Sequence, residues 1–256
     1  MCRDQAPPSF PAAGKSVHAP VARDGRAVLV PFQAVGLFCN LDEPALFEAP
    51  DSMGLASGNT WEEAKEAALT EILERDAEAA TPYRRTQCFE LRTELQPLAG
   101  LLEDYAARGI QVGFQALTSE FGMPCFSCFV VGRKGEVARA CGAGLDGRRA
   151  LLSALTETPY PYPGGPPSGP GLRGLPQRML EKLPGYDLGS AAANSALLEQ
   201  LLLANGYEPL YVDLTRTDLR FPVLRAIVPG LAAPASGGFG RVNRRLFANY
   251  LKPYAA

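Results

Sequence analysis

Residues 52–79, SMGLASGNTWEEAKEAALTEILERDAEA, decide how this chain folds and where its chemistry lies. The glycine-containing first part predicts a loop. Thr60 is followed three residues later by Glu63, the spacing of a capping box, which predicts a helix over 61–80. At about 100° per residue, the apolar side chains of this helix share one arc and its glutamates share the next. The apolar set is Trp61, Ala64, Ala68, Ile72 and Ala79, and the acidic set is Glu63, Glu71, Glu74 and Glu78.

The acidic stripe is the first candidate site. Ala67 lies in its middle, which leaves a hollow between the carboxylates, and Arg75 borders it. Carboxylates around a hollow suit Mg²⁺, the cation through which proteins usually bind nucleotide phosphates. A neighbouring arginine can contact the phosphates as well. The preceding loop could bring backbone N–H groups and the Asn59 amide to the positive end of the helix. The alternative is a solvated acidic face on which Glu71 and Arg75 form an i,i+4 ion pair.

Length and composition favour a single α+β domain built of mixed α/β layers. The chain has 256 residues, of which 46% are hydrophobic and 20% charged, and these values are ordinary for a globular protein. A net charge of -2 argues against a nucleic-acid partner. Apolar runs are far shorter than the ~18 residues of a membrane span, so we expect no membrane association. The first ten residues lack the apolar core of a secretory signal, and we therefore expect a cytoplasmic location.

The remaining sequence predicts alternating helices and strands. Residues 1–25 predict an irregular lead-in, and 26–256 predict the domain. Residues 158–176 contain seven prolines and five glycines, which predicts a loop or lid without regular structure. Helices are predicted at 96–108, 148–157, 192–205 and 241–251. Strands are predicted at 26–38 (interrupted at Pro31), 110–117, 124–131, 136–141, 208–214 and 222–228.

The cysteines and the histidine give little sign of a metal or redox site. Cys125 and Cys128 form a CxxC, but PCFSCFVV reads as a buried strand and no second CxxC is present. We interpret them as buried thiols. His18 is the only histidine, which argues against a Ser-His-Asp or Cys-His catalytic site.

Residues 52–79 resemble the motif region of the YcaO family. The resemblance consists of a Ser-x-Gly-Leu-Ala-x-Gly-Asn-Thr loop, a Glu-Glu-Ala step and a Glu-x-x-Glu-Arg-Asp-Ala ending. Weaker similarity follows at 141–157, at 211–231 and in the closing RVNRRLFANYL, so that most of 26–251 is covered. The resemblance implies a YcaO-type domain that binds ATP and Mg²⁺ between glutamate-bearing helices. Such proteins phosphorylate a backbone amide oxygen of a peptide or protein, which leads to azoline rings or thioamides.

The resemblance also implies roles for individual residues. The family's Gln-x-x-Asn-x-x-x-Glu motif falls on Ala56, Asn59 and Glu63, with the glutamine replaced, and its Glu-x-x-x-Arg motif falls on Glu71 and Arg75.

Two further assignments complete the implied site. Glu74 would be a second carboxylate for the metal, and Arg225 would contact phosphate or substrate, the alternative for Arg225 being a surface strand residue. The implied nucleotide contacts are Asn59, Glu63, Arg75 and Arg225, and the implied metal ligands are Glu71, Glu74 and Glu63. No catalytic residue is assigned.

Departures from the family pattern shape the expected function. The family's Ser-x-x-x-Glu-x-x-Glu helix is not found before residue 52, which predicts a domain incomplete at its N-terminal side. We therefore expect a companion chain or a homo-oligomer, an exposed apolar patch or open sheet edge near the acidic cleft, and weak ATP binding by the chain alone. The alternatives are a fragment, a degenerate copy, or a non-catalytic YcaO-like subunit that binds a partner protein or peptide. A metal-binding domain without nucleotide is the third functional alternative.

Overall fold

The computed structural model describes residues 16–20, 27–31, 34–36, 52–161, 170–231 and 244–251. These residues form a mixed α+β fold, as the sequence predicted. The helices are α1 (Trp61–Ala80), α2 (Gln96–Ala107), α3 (Gly147–Glu157), α4 (Ala191–Ala204) and α5 (Arg244–Leu251). The strands are β1 (Ser16–Pro20), β2 (Ala27–Pro31), β3 (Leu55–Ser57), β4 (Cys88–Arg92), β5 (Gln111–Ala116), β6 (Cys125–Val131), β7 (Val137–Ala143), β8 (Gln177–Met179), β9 (Leu210–Asp213) and β10 (Val223–Ile227).

The strands form two sheets and a hairpin. The larger sheet has the order β7-β6-β5-β4-β8, the smaller has the order β3-β10-β9, and β1 pairs with β2. Every pairing is antiparallel except that of β4 with β8. In the larger sheet α3 packs on β6 and β7, and α2 contacts β5.

Helix α1 is the element that joins the two sheets. Its buried face includes Ala64, Ala68, Leu69 and Ile72, and it packs against α4, β3, β10 and β7. The predicted start is confirmed, because the Thr60 hydroxyl accepts a hydrogen bond from the Glu63 backbone N–H at 3.1 Å. Of the predicted apolar arc, Trp61 and Ala79 are only partly buried. The apolar arc therefore sets the rotation of α1 in the fold.

Several short strands were not predicted. Strand β1 lies inside the predicted irregular lead-in, and β3, β4 and β8 have three to five residues each. Segments this short carry too little periodicity to identify, and their neighbours in the sheet stabilise them.

The strand predicted over 26–38 is wrong in its second half, because β2 ends at Pro31 and residues 34–36 are not a strand. Proline has no N–H to donate to a continuing ladder. The other predicted elements are present within a few residues of the expected bounds. Residues 26, 32–33 and 37–38 of that predicted strand, 162–169 of the predicted loop and 241–243 of the last predicted helix lie outside the described residues.

The CxxC motif is a pair of buried thiols, as interpreted from the sequence. Cys125 packs in the core around α1, whereas Cys128 packs in the core between the larger sheet and α3. Residues three apart on a strand point to opposite faces, so these two thiols cannot bind one metal ion. Burial raises the pKa of Cys128 to about 12, which keeps it a protonated thiol.

The contact between β7 and α3 gives a direct test of the packing. A Cβ added at Gly142 would lie 2.4 Å from the Ala150 carbonyl oxygen and 2.4 Å from the Ala154 backbone nitrogen. We expect Gly142→Ala to lower the free energy of unfolding by about 1–3 kcal/mol or more, because backbone must shift. In urea unfolding, the control Gly100→Ala on α2, with nothing within 4 Å of its added Cβ, should stabilise by about 0.5–1 kcal/mol. Equal effects of the two substitutions would contradict this packing.

Candidate functional site

An open cleft of about 630 Å³ lies between α1 and α3. One wall is the face of α1 from Glu63 to Arg75, and the other is formed by the end of β7, by α3 and by Asp187. Glu78 of the predicted acidic set does not line the cleft. The predicted carboxylates Glu63, Glu71 and Glu74 all line this cleft together with Arg75. The helical wheel had predicted this shared location.

The glycine-containing loop is fastened to the middle of α1 at Glu71. Gly54 has a φ of +73°, and an added Cβ would lie 2.3 Å from the Ala226 carbonyl oxygen on β10. This close approach brings the Gly54 N–H to the Glu71 Oε2, at 3.1 Å. Glycine is required here both for its conformation and for its size. The loop therefore positions one of the predicted metal ligands.

Asn59 and Glu63 form a second link between the loop and α1. The Glu63 Oε2 accepts hydrogen bonds from the Asn59 backbone N–H at 2.8 Å and from its side-chain amide at 2.9 Å. In a standard capping box this glutamate would return to the backbone N–H of Thr60 instead. Asn59 is thus held beside the cleft through Glu63, although it does not itself line the cleft.

Glu74 is the most perturbed carboxyl group of the cleft. Its pKa is raised from 4.5 to about 7, first by burial and then by the facing Glu157 of α3, while Arg75 opposes the shift. The prediction that at least one of the three stripe carboxylates has a raised pKa is confirmed. At neutral pH and without a cation, Glu74 is therefore present in both its protonated and its ionised form.

Arg75 lies at the border of the cleft with a side chain that is 44% exposed. Its Nη1 is 3.6 Å from the Glu78 Oε2, so its ion pair in the described residues is with the residue three positions on and not with Glu71. Arg139 approaches the other oxygen of Glu78 at 3.5 Å. Arg75 is placed to contact an anion in the cleft while Glu78 holds its guanidinium.

The wall opposite α1 was missed as a source of functional residues. Asp146 caps α3, where its Oδ1 accepts a hydrogen bond from the Arg148 N–H at 2.9 Å. Arg149, Ser153 and Glu157 then project into the cleft from successive turns of the helix. The sequence did contain a signal for the start of α3, because Asp146 precedes a helical apolar pattern within 141–157 and aspartate is a preferred N-cap.

A buried amide links three elements at the edge of the cleft. The Asn194 side-chain amide on α4 donates to the Glu66 Oε1 at 2.9 Å and to the Asp187 Oδ1 at 2.9 Å. Burial raises the pKa of Glu66, which the bond from Asn194 partly offsets. The bond from Asn194 lowers the pKa of Asp187, and Arg149 approaches that carboxylate at 3.7 Å. This network fixes the edge of the cleft near Glu66.

Arg225 lies apart from the acidic wall. It is only 4% exposed on β10, and its Nη1 donates to the Val35 carbonyl oxygen at 3.3 Å. The alternative of a surface strand residue is therefore wrong. Arg225 does not line the cleft, and its contact with phosphate or substrate stays a prediction.

The cleft fits a magnesium–triphosphate group better than a bare metal ion. Among the described residues, no group of three or more His, Cys, Asp or Glu side chains is arranged to hold a cation. Mg²⁺ commonly uses one or two carboxylates and completes its shell with waters and phosphate oxygens. Glu71 and Glu74, three residues apart on α1, can supply those two carboxylates. The cleft volume falls within the range of about 300–1,000 Å³ typical of ligand pockets.

Apolar surface lies beside the cleft, as expected. Tyr186 and Leu188, on either side of Asp187, are 51% and 58% exposed. Strand β7, which ends at the cleft with Ala143, is the outer strand of its sheet in the described residues. This combination would suit a companion chain, whose presence stays a prediction.

No helix in the described ranges has the length and apolar character needed to cross a membrane.

The raised pKa of Glu74 predicts how stability depends on pH. The folded state binds this proton more tightly than the unfolded state, so the stability contribution is present below about pH 4.5 and is lost as pH rises through about 7. Between these pH values the free energy of unfolding of the wild type should fall by about 1–3 kcal/mol because Glu74 loses its proton. Glu74→Gln, which cannot ionise, should not show this fall. Urea unfolding at a series of pH values measures the difference between variant and wild type. Glu103→Gln, on the exposed side of α2, is the control, and parallel curves for wild type and Glu74→Gln would contradict the burial of this carboxyl.

The chain is similar to a family model and to known proteins. The model described as "YcaO cyclodehydratase, ATP- and Mg2+-binding" matches residues 16–159, more than half of the chain. An uncharacterised protein from the tfuA 3' region of Rhizobium leguminosarum bv. trifolii is 32% identical over 149 residues. That match covers 52% of this chain and 35% of the relative.

Two solved structures share the fold. A heterocyclase in complex with substrate and cofactor has a TM-score of 0.67 at 20% identity, over 85% of this chain and 33% of the heterocyclase. YcaO from Methanopyrus kandleri, bound with AMPPCP and Mg²⁺, has a TM-score of 0.65 at 23% identity, over 89% of this chain and 68% of that protein. At these identities the structures support the fold alone. With the family model matching most of the sheet and all of α1, the chain belongs to the YcaO family.

Proposed function

We propose that this chain is the nucleotide-binding portion of a YcaO-type enzyme that uses ATP and Mg²⁺ to phosphorylate a peptide backbone amide. Attack of a Cys, Ser or Thr side chain of the peptide on the activated amide carbon, with loss of phosphate, would give an azoline, whereas attack of sulfide with loss of phosphate would give a thioamide. A companion chain, a second copy or a further segment would complete the site. The single observation that carries the proposal is the cleft, in which Glu63, Glu71, Glu74 and Arg75 of one helix meet.

The cleft residues divide into two groups by chemistry. Glu71 and Glu74 would hold Mg²⁺, and Glu63 would complete or orient its shell. Arg75 would contact the phosphates with its planar donor fork, while Asn59 would reach the nucleotide from the N-terminal end of α1. Arg225 would act from β10, outside the acidic wall.

When bound, ATP with its cation supplies a phosphoryl group for transfer to an amide oxygen. The contribution of this chain is position and charge, since phosphoryl transfer depends mainly on both. The Gly54 N–H holds the Glu71 carboxylate in place before any ligand arrives. The pKa of Glu74 is raised by burial and then by Glu157, and a bound cation would favour its ionised form against both effects.

The relatives support the choice of ligands and substrate class. One structure with this fold is bound with AMPPCP and Mg²⁺, and another is a heterocyclase with substrate and cofactor. This chain spans about a third of that heterocyclase and of the curated relative.

A second candidate is a non-catalytic YcaO-like subunit that binds a partner protein or peptide. Two observations favour it. Ala56 replaces the glutamine of the family motif, and no three-ligand cation cluster is preformed in the described part of the chain. Under this alternative the acidic cleft would be a solvated face, and the exposed Tyr186 and Leu188 would be the functional surface.

Nucleotide binding separates the two candidates. We expect AMPPCP with Mg²⁺ to raise the thermal unfolding temperature of the purified chain more than Mg²⁺ alone, because the cation bridges protein carboxylates and phosphates. Glu71→Gln should reduce the nucleotide affinity at least about tenfold, since a charged ligand contact is lost. Calorimetric titration provides the affinity.

Glu62→Gln is the matched control, because Glu62 is exposed on the same helical turn as Glu63 but does not line the cleft. Equal effects of the two substitutions would contradict the assigned site. An absence of any nucleotide effect, with and without a candidate companion protein, would favour the non-catalytic subunit. A response to Mg²⁺ that ignores the nucleotide would favour a metal-binding domain.

A further inference from the structure

Beside the acidic cleft, one carboxylate is shared by two arginines. Glu78 lies on α1 about one turn after Glu74, but it does not line the cleft. Its Oε2 is 3.6 Å from the Arg75 Nη1, and its Oε1 is 3.5 Å from the Arg139 Nη2. Arg75 lines the cleft, whereas Arg139 lies outside it on β7. Glu78 therefore connects a residue of the cleft to a residue of the larger sheet.

Arg139 is fixed to the sheet by three contacts. Its Nε donates to the Ser127 Oγ at 2.8 Å, and Ser127 is fully buried. Its Nη2 donates to the Cys141 Sγ at 3.7 Å, and its guanidinium lies 5.7 Å from the centre of the Phe129 ring. A guanidinium that is hydrogen-bonded and stacked at the same time has little freedom to turn. The strands thus hold in place the Nη2 group that faces Glu78.

Arg75 is held much less firmly than Arg139. Its side chain is 44% exposed, and in the part of the chain that the structure describes its ion pair is with Glu78. A guanidinium carries five N–H donors, and a carboxylate that contacts one edge occupies at most two of them. The remaining donors are available to an anion in the cleft as long as Glu78 contacts Arg75 through one oxygen only.

The Glu78 carboxylate has a reason to move closer to Arg75. Its Oε2 is buried and accepts no hydrogen bond from the described residues. A buried acceptor without a donor is unfavourable. A rotation that brought both oxygens to the Arg75 guanidinium would satisfy this oxygen and form a bidentate pair. Such a pair would occupy the donors and neutralise the charge that a phosphate requires.

Arg139 opposes that rotation. It attracts the Oε1 of Glu78 from the side of the sheet, while Arg75 attracts the Oε2 from the side of the cleft. Because the two oxygens face different arginines, a bidentate pair with Arg75 requires Glu78 to leave Arg139. The rigid mounting of Arg139 on the strands makes it the fixed point of the three residues.

We propose that Arg139 is a positioning residue for nucleotide binding, which holds Glu78 so that Arg75 keeps donors for the phosphates. The inference rests on the proposed function for the identity of the ligand. It also explains how Arg75 can turn to a phosphate at low cost. Glu78 keeps Arg139 beside it at that moment, so that no uncompensated carboxylate is left at the edge of the cleft.

The first test is a calorimetric titration of the full chain with AMPPCP and Mg²⁺. Arg139→Gln should lower the affinity at least about threefold, because Glu78 then pairs with Arg75 through both oxygens. Glu78→Gln should not lower the affinity, because no carboxylate then competes for Arg75. In the Glu78→Gln background, adding Arg139→Gln should change the affinity less than about twofold, because Arg139 has nothing left to hold.

Arg178→Gln is the matched control. Arg178 also lies over an aromatic ring, 4.6 Å from the centre of Phe89, and it does not line the cleft. Its loss changes the net charge by the same amount and should leave the affinity as in the wild type. Equal losses from Arg139→Gln with and without Glu78 would overturn the proposal, because Arg139 would then act through its own charge. An Arg139→Gln variant that binds like the wild type would overturn it as well.

A second test needs no nucleotide. Arg139→Gln should strengthen the contact between Glu78 and Arg75. Arg75→Gln should therefore lower the midpoint of urea unfolding more in the Arg139→Gln background than in the wild type, where the shared contact contributes little. Equal shifts in the two backgrounds would overturn the proposal whether or not nucleotide binds. Unequal shifts in a chain that binds no nucleotide would support the competition for Glu78 and contradict the proposed function instead.

Discussion

The burial of one face of α1 between two sheets is the constraint on which the rest of the structure depends. Ala64, Ala68 and Ile72 have small or branched side chains that let the helix approach β10 and β3 closely. Once this face is buried, the adjoining carboxylates have a single direction in which to project. The cleft is therefore a consequence of core packing, and the acidic residues are placed by the apolar ones.

That placement has an electrostatic cost. Glu74 is drawn partly into the protein opposite Glu157, and its pKa rises to about 7. A structure selected for stability alone would replace such a carboxyl or pair it with a base. Arg75 is close but is held by Glu78, so it offsets the repulsion only in part. A cation at Glu71 and Glu74 would relieve the repulsion. Because the cation would bind only the folded protein, its binding would also stabilise the fold around the cleft.

The sequence predicts the parts of the site that depend on local chemistry. Thr60, the 61–80 helix and the shared face of Glu63, Glu71 and Glu74 follow from helical geometry and capping. The opposite wall does not, because Arg149 and Glu157 meet α1 only through the antiparallel pairing of β6 and β7. The burial of Arg225 could not be predicted either, because the sequence of a strand does not show which elements pack over a given residue.

A buried ion pair at the far end of α1 explains how the helix keeps its position. Asp76 is 3% exposed and forms an ion pair with Arg245 of α5, and Arg245 also approaches Glu120 at 2.9 Å. Glu74 and Arg75 line the cleft. Asp76 is the next residue of the helix, and the turn of about 100° per residue directs its side chain into the protein instead. Breaking a pair of this kind leaves an uncompensated buried charge, which makes rotation or sliding of α1 unfavourable. The loop holds α1 at Glu63, through Asn59, and at Glu71, through Gly54, and α5 holds it at Asp76. Between the first and the last of these attachments, the carboxylates of the cleft keep a fixed spacing, which is what the binding of a cation and phosphates requires.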